Sequence, residues 1–190
     1  MIKELKSALL LLLVMTLLTG GIYPALVTGL ARAIFPFQSS GSFLEIRGEP
    51  VASALVGQPF SERRYFWGRP SATTPMPYHA ASSNGSNLGP LNPALEERIK
   101  NRIAELASSD PGQSRPIPVD LVTASASGLD PHISPAAALW QLPRVARERN
   151  IPESQLKELL VRHTEERTFG LLGEPRVNVM TLNLAMDRLE

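Results

Sequence analysis

The sequence predicts a mixed α/β (α+β) domain carried on a single N-terminal transmembrane helix. Three observations lead there. Residues 7–31 run for 25 positions without a charge, nine of them Leu. Residues 36–93 are rich in Pro, Gly, Ser and Asn, with short β-prone pieces. From Asn92 onward, amphipathic stretches with helix-start signals alternate with short loops.

The apolar run comes first. At about 1.5 Å per residue it makes roughly 37 Å of helix, enough for a hydrocarbon core of about 30 Å. A cleaved signal peptide has a shorter apolar region. Release after the small-x-small site Ala31-Arg32-Ala33 stays open as an alternative. Lys3 and Lys6 precede the run, and Arg32 and Arg47 come after it, a weak charge bias. The remaining 158 residues carry 16 basic and 17 acidic side chains, so nothing there ties them to anionic lipid. The expected layout is residues 1–6 inside, 7–31 spanning and 32–190 outside. Gly21, Ala25 and Gly29 recur every fourth residue and form a small-residue stripe for packing against partner helices. Pro24 cannot donate to the carbonyl of Gly20, which predicts a kink.

Beyond the helix, Val51–Val56 reads as strand ended by Gly57. Tyr65-Phe66-Trp67-Gly68-Arg69-Pro70 sets three aromatics before a turn, and Pro75, Pro77, Asn84-Gly85 and Gly89-Pro90 punctuate the next twenty or so residues. The aromatics predict a packed, ordered loop. Asn92 caps a helix that starts at Pro93, with Leu95, Ile99, Ile103 and Leu106 on one face and Asp110-Pro111-Gly112 as its stop. Val119–Thr123 reads as a short strand. Ser134-Pro135 opens a second helix with Ala138, Leu142, Val145 and Ala146 inward and a bend at Pro143. Pro152-Glu153 opens a third with Leu156, Leu159 and Leu160 inward. Gly170 and Gly173 mark loops, and Asn178 caps a last helix carrying Val179, Leu182, Met186 and Leu189.

Composition excludes several functions. The 190 residues carry 19 basic and 18 acidic side chains, 43% hydrophobic residues and no cysteine. Disorder is excluded by the apolar content. A nucleic-acid binder would show a basic stripe. Disulfide scaffolds, zinc ribbons and thiol catalysis need cysteine.

Chemistry stands out weakly. The run Thr123-Ala124-Ser125-Ala126-Ser127-Gly128-Leu129-Asp130 invites a serine-nucleophile reading, with Asp130, His132 and His79 as helpers. No Gly-x-Ser-x-Gly elbow or Ser-x-x-Lys pair supports it. The competing reading is a connection whose hydroxyls satisfy loop backbone groups. His79, His132 and His163 lack metal-ligand spacing, so no metal site is expected. His163 reads as a helix-end or core histidine. Asp120, Asp130 and Glu174 are expected to be scattered solvated carboxylates. Ser82–Asn87 reads as a surface turn, with an anion nest as the alternative. No lysine follows a glycine, so a P-loop is absent.

Several stretches taken in order resemble one family. They are Thr19-Gly20-Gly21-Ile22-Tyr23-Pro24, Gly57-Gln58-Pro59-Phe60, Tyr65 through Ala72, Gly85-Ser86-Asn87-Leu88, Val119 through Asp130, Trp140 through Ala146, and Val177-Asn178-Val179. Together they look like the C subunit of the Kdp potassium-transporting P-type ATPase of bacteria, the KdpC family, over nearly the whole chain. The resemblance implies an inner-membrane complex, with residues 1–6 on the cytoplasmic side and 32–190 on the periplasmic side. Its partners are an ATP-hydrolysing P-type subunit, a potassium-channel-like subunit and a small single-helix subunit. This chain would act as a catalytic chaperone that raises ATP affinity, with potassium as the transported ion and no tightly bound cofactor. ATP shared with the ATPase subunit and a potassium-facing lid are further readings. The chain has no Asp-Lys-Thr-Gly phosphorylation motif and no selectivity-filter run. The loops at Gly68, Arg69, Pro70 and Ser71, and at Ser125, Ser127, Gly128 and Asp130, are the candidate partner or ligand surface. A membrane-anchored periplasmic serine hydrolase using Ser125 or Ser127, and a free-standing periplasmic binding domain, are the alternatives.

Overall fold

The computed structural model describes residues 2–189. The chain divides into two units, one ending at Phe43 and the other beginning at Leu44.

In the first unit, α1 (Ile2–Leu17) passes through a π-helical turn (Leu18–Ile22) into α2 (Tyr23–Ile34), and α3 (Pro36–Ser39) comes next. The helical stretch Lys3–Ile34 is 32 residues long and contains an 18-residue window of mean hydropathy 2.1, so it is long and apolar enough to cross a membrane. The π turn sits where the missing Pro24 donor is expected to disturb the helix. The N–H of Tyr23 reaches back to the carbonyl of Leu18, so the turn widens just ahead of the proline.

The second unit begins at the second residue of β1 (Phe43–Ile46), which forms a hairpin with β2 (Glu49–Ser53). Arg47 and Gly48 both take positive φ, the signature of a two-residue type I′ turn. β2 is shorter than the Val51–Val56 piece, because Ala54 and Leu55 turn and Val56 bridges back to Ser53. Irregular chain then runs to Asn92.

α4 (Pro93–Ser109), α5 (Pro135–Arg149), α6 (Glu153–Arg162) and α7 (Val179–Asp187) supply the helical layer. Their starts obey capping chemistry. The side-chain oxygen of Asn92 accepts from the N–H of Ala94, that of Ser134 from Ala137, and that of Asn178 from Met180 and Thr181. The core joins Leu106, Leu121, Ala138, Leu142, Val145, Leu156, Leu160, Leu182 and Met186 to Phe66 and Trp67 of the irregular segment. The α4 stripe is only partly used: Leu106 is buried, Leu95 and Ile99 are half-buried, and Ile103 is 41% exposed. Leu189 lies past the end of α7 and is exposed.

A three-stranded antiparallel sheet of order β3-β5-β4 closes the unit, from β3 (His132–Ile133), β4 (Thr164–Glu165) and β5 (Arg176–Asn178). Val177 is buried opposite both Ile133 and Thr164. The expected strand at Val119–Thr123 is instead a 3-10 turn over Val119–Leu121. Pro118 starts it, Leu121 N–H and Val122 N–H return to the carbonyls of Pro118 and Val119, and the Thr123 hydroxyl donates to Val119. The turn buries Leu121 and leaves Val119 exposed, a partition an alternating strand would not give.

Candidate functional site

A turn at Arg63 and Arg64 leads into Phe66–Arg69, which has no neighbouring strand, so the buried peptide groups of this segment need other partners. Side chains supply them. Asn183 accepts from the N–H of Phe66 and donates to its carbonyl, both at 3.0 Å. Gln141 does the same for Trp67, at 2.8 and 3.0 Å. Arg144 donates to the carbonyls of Arg63 and Tyr65, and Arg149 to that of Arg64. Arg102 donates to the carbonyl of Gly68. Two primary amides thus act as strand edges, and three arginines close the remaining carbonyls. The guanidinium carbons of Arg144 and Arg102 also lie over the Trp67 ring, at 4.8 and 5.4 Å.

That frame delivers Arg69 to the loop 123–131. Its guanidinium donates to the carbonyls of Thr123 and Ala124 and pairs with Asp130 at 3.5 Å. The Ser71 hydroxyl donates to the carbonyl of Gly128 at 2.7 Å and accepts from the N–H of Tyr78. The Tyr78 hydroxyl donates to the carbonyl of Arg69 at 2.6 Å, and burial pushes its pKa up to about 12. A Cβ on Gly68 would stand 2.7 Å from that hydroxyl. Within the loop, Ser125 accepts from the N–H of Gly128 and Ser127 from that of Leu129. The candidate residues Gly68, Arg69, Pro70, Ser71, Ser125, Ser127, Gly128 and Asp130 therefore come together as two mutually braced loops. Ser82–Asn87 lies against them: Asn84 N–H and the Ser83 hydroxyl donate to the carbonyl of Ser127.

Both loop serines have hydroxyls engaged with main-chain N–H groups, and Ser125 is buried. That arrangement is the backbone-satisfying one. The carboxylates are less scattered than expected. Asp120, Asp130 and Glu174 line one cleft of about 410 Å³ with Arg69, His132, Ser134 and Arg176. Each is engaged: Asp120 with the N–H and hydroxyl of Ser134, Asp130 with Arg69 and His132, and Glu174 with Arg167. Among the described residues no group of three or more acidic or histidine side chains is placed to hold a metal ion. His163 ends α6, half-buried, with its basicity lowered by burial.

Burial works against ionisation of Asp130. Hydrogen bonds from the ring and backbone N–H of His132, and the Arg69 charge, outweigh it and hold the carboxyl below its usual value. A depressed carboxyl contributes stability above the unfolded value of about 3.9 and loses it as pH falls through the folded value. The unfolding midpoint of the full chain should therefore drop below about pH 4. In Asp130→Asn part of that acid sensitivity should vanish, as read by urea titration between about pH 3 and 7.

On the small-residue stripe, Gly21 lies in the π turn, and Ala25 and Gly29 lie in α2. A Cβ on Gly29 would meet nothing within 4 Å, and one on Gly21 would meet Leu17 only at 3.7 Å. Sequence reasoning does not single out Gln141, Arg144 and Asn183 as positioning residues. Their one signal is a polar side chain set among the inward residues of α5 and α7.

The family model for the K+-transporting ATPase, c chain, KdpC, matches residues 5–188. A Potassium-transporting ATPase KdpC subunit of Methylococcus capsulatus is 59% identical over 189 residues, covering all of both chains. Its counterpart in Sorangium cellulosum is 57% identical over 187 residues, 98% of each. The one from Geobacter metallireducens is 54% identical over 188 residues, 98% of each. With matches of this length and identity, the chain belongs to the KdpC family, subunits of the potassium-transporting ATPase complex.

Proposed function

We propose that this chain is the accessory subunit that raises the ATP affinity of the ATP-hydrolysing subunit and stabilises the complex during potassium import. Family membership over residues 5–188 is the observation that carries this reading. The chain has no phosphorylation motif of its own, so ATP turnover belongs to a partner. In this reading Lys3–Ile34 spans the inner membrane, with the N-terminus cytoplasmic and the folded unit periplasmic. The partners are the P-type subunit, the potassium-channel-like subunit and the small single-helix subunit.

A domain on the far side of the membrane acts on nucleotide through its helix. Preference for one conformation of its partners requires a coupling of about 1–3 kcal/mol, or roughly 5–150-fold in affinity. The open surface over Gly21 and Gly29 suits close packing of another helix backbone. Replacing both with Leu should lower recovery of the other subunits with the tagged chain. The ATP concentration for half-maximal hydrolysis should also rise several-fold. Unchanged recovery and unchanged ATP dependence would rule out the helix route.

A further inference from the structure

The π turn frees a carbonyl that its own helix cannot serve. In α geometry the carbonyl of Thr19 would accept from the N–H of residue 23, and in π geometry from that of residue 24. The N–H of Tyr23 goes to Leu18. Residue 24 is proline and has no N–H. Thr19 therefore lacks a main-chain donor in either register. Its own hydroxyl is committed elsewhere, donating to the carbonyl of Met15 at 2.7 Å. The next two residues are Gly20 and Gly21, which carry no side chain to cover the freed oxygen, and a Cβ on Gly20 would meet nothing within 4 Å.

Depth decides what can bond to that oxygen. Thr19 is the midpoint of the uncharged run 7–31, twelve residues from each end, or about 18 Å of helix. Lipid headgroups stay outside that level, acyl chains donate nothing, and the hydrocarbon core holds no water to stand in. A protein donor remains. An apolar groove with Leu9, Leu13 and Leu17 in its wall runs along this helix to Gly20 and Gly21. A charged donor is costly in such surroundings, so the matching group is neutral. We infer that the carbonyl oxygen of Thr19 is an acceptor site for a neutral hydrogen-bond donor (a hydroxyl, a primary amide or an indole N–H) on a transmembrane helix of another subunit. The π turn of a second copy, entering the membrane the same way, carries one polar side chain, Thr19 itself, already bonded to Met15. The acceptor site deepens the helix packing proposed above. It rests on Lys3–Ile34 spanning the bilayer and not on the ATP reading.

Solid-state NMR of the full chain in phospholipid bilayers reads the oxygen directly, without ATP. With carbonyl-13C threonine and 15N glycine, only Thr19-Gly20 and Thr28-Gly29 hold a labelled peptide bond. Thr28 lies inside α2 and is the hydrogen-bonded reference. A carbonyl that accepts a hydrogen bond moves downfield. The Thr19 signal should lie upfield of Thr28 in the chain alone and move downfield when the other subunits are assembled with it. A signal that does not move would overturn the proposal. So would one already downfield in the chain alone, where water or a second copy would be the donor. In deuterated water the Gly20 and Gly29 amides should keep their protons; their exchange would overturn the span itself, and the acceptor site with it. Pro24→Ala supplies the missing N–H and lets the turn relax to α geometry, which gives Thr19 the N–H of Tyr23. In this variant the Thr19 signal should join that of Thr28 in the chain alone and stop responding to the other subunits. The chain concentration that saturates those subunits should rise roughly 3–10-fold. A Thr19 signal that still responds, or saturation that is unchanged, would overturn the acceptor site.

Discussion

Arg144→Leu should destabilise the folded unit by about 3–5 kcal/mol, a large fraction of the roughly 5–15 kcal/mol that holds an ordinary domain. Arg144 is completely buried. Burial lowers its pKa to about 10, so it remains a cation at neutral pH. Leucine would fill much of the volume but donate nothing. The carbonyls of Arg63 and Tyr65 and the amide oxygen of Gln141 would each lose a donor. A buried acceptor left unpaired costs about 1–3 kcal/mol. Arg144→Lys should recover only part of the loss, because an ammonium cannot fork to two carbonyls and lie flat on Trp67. The two tryptophans of the chain, Trp67 and Trp140, are both in this core. Urea unfolding of the full chain in detergent, tracked by their fluorescence, reads the effect. A loss below about 1 kcal/mol would mean that the segment Arg63–Arg69 is held some other way.

Gly128→Val should cost about 3 kcal/mol or more for two separate reasons. The residue holds φ at +68°, a region closed to β-branched side chains. A Cβ there would also lie 2.6 Å from the carbonyl oxygen of Asn84 and 2.6 Å from Cγ2 of Thr73. Relief would move the backbone that receives the Ser71 hydroxyl, so the loops 68–71 and 125–130 would separate. Gly89→Ala is the control: nothing lies within 4 Å of its Cβ position, and its cost should be within about 0.5 kcal/mol. Equal losses at the two positions would refute tight packing of the two loops.

The helices are readable because their starts are written in local chemistry: Asn92, Ser134 and Asn178 each cap as their neighbours suggest. The sheet is not, because strands of two or three residues are too short to show alternation. Val119–Thr123 misleads since its apolar content suits a strand, whereas Pro118 and the Asp120–Ser134 contact fix a turn. At the candidate site, Arg69, Ser71, Gly128 and Asp130 stand in two recognisable stretches. Their pairing depends on Gln141, Arg144 and Asn183 reaching a segment more than 70 positions away. No local pattern encodes such a contact. The acidic cleft escapes a linear reading for the same reason: Asp120, Asp130 and Glu174 meet only once β3 and β5 pair.

The proposed role stands most directly on nucleotide affinity. ATP binding to the ATP-hydrolysing subunit should be measured in reconstituted membranes with the full chain and without it, at fixed potassium. Binding should be at least about five-fold tighter when the chain is present, with most of that gain absent in the Gly21→Leu, Gly29→Leu double variant. Equal ATP affinity in the two preparations, with the other subunits fully assembled, would contradict a role in nucleotide binding.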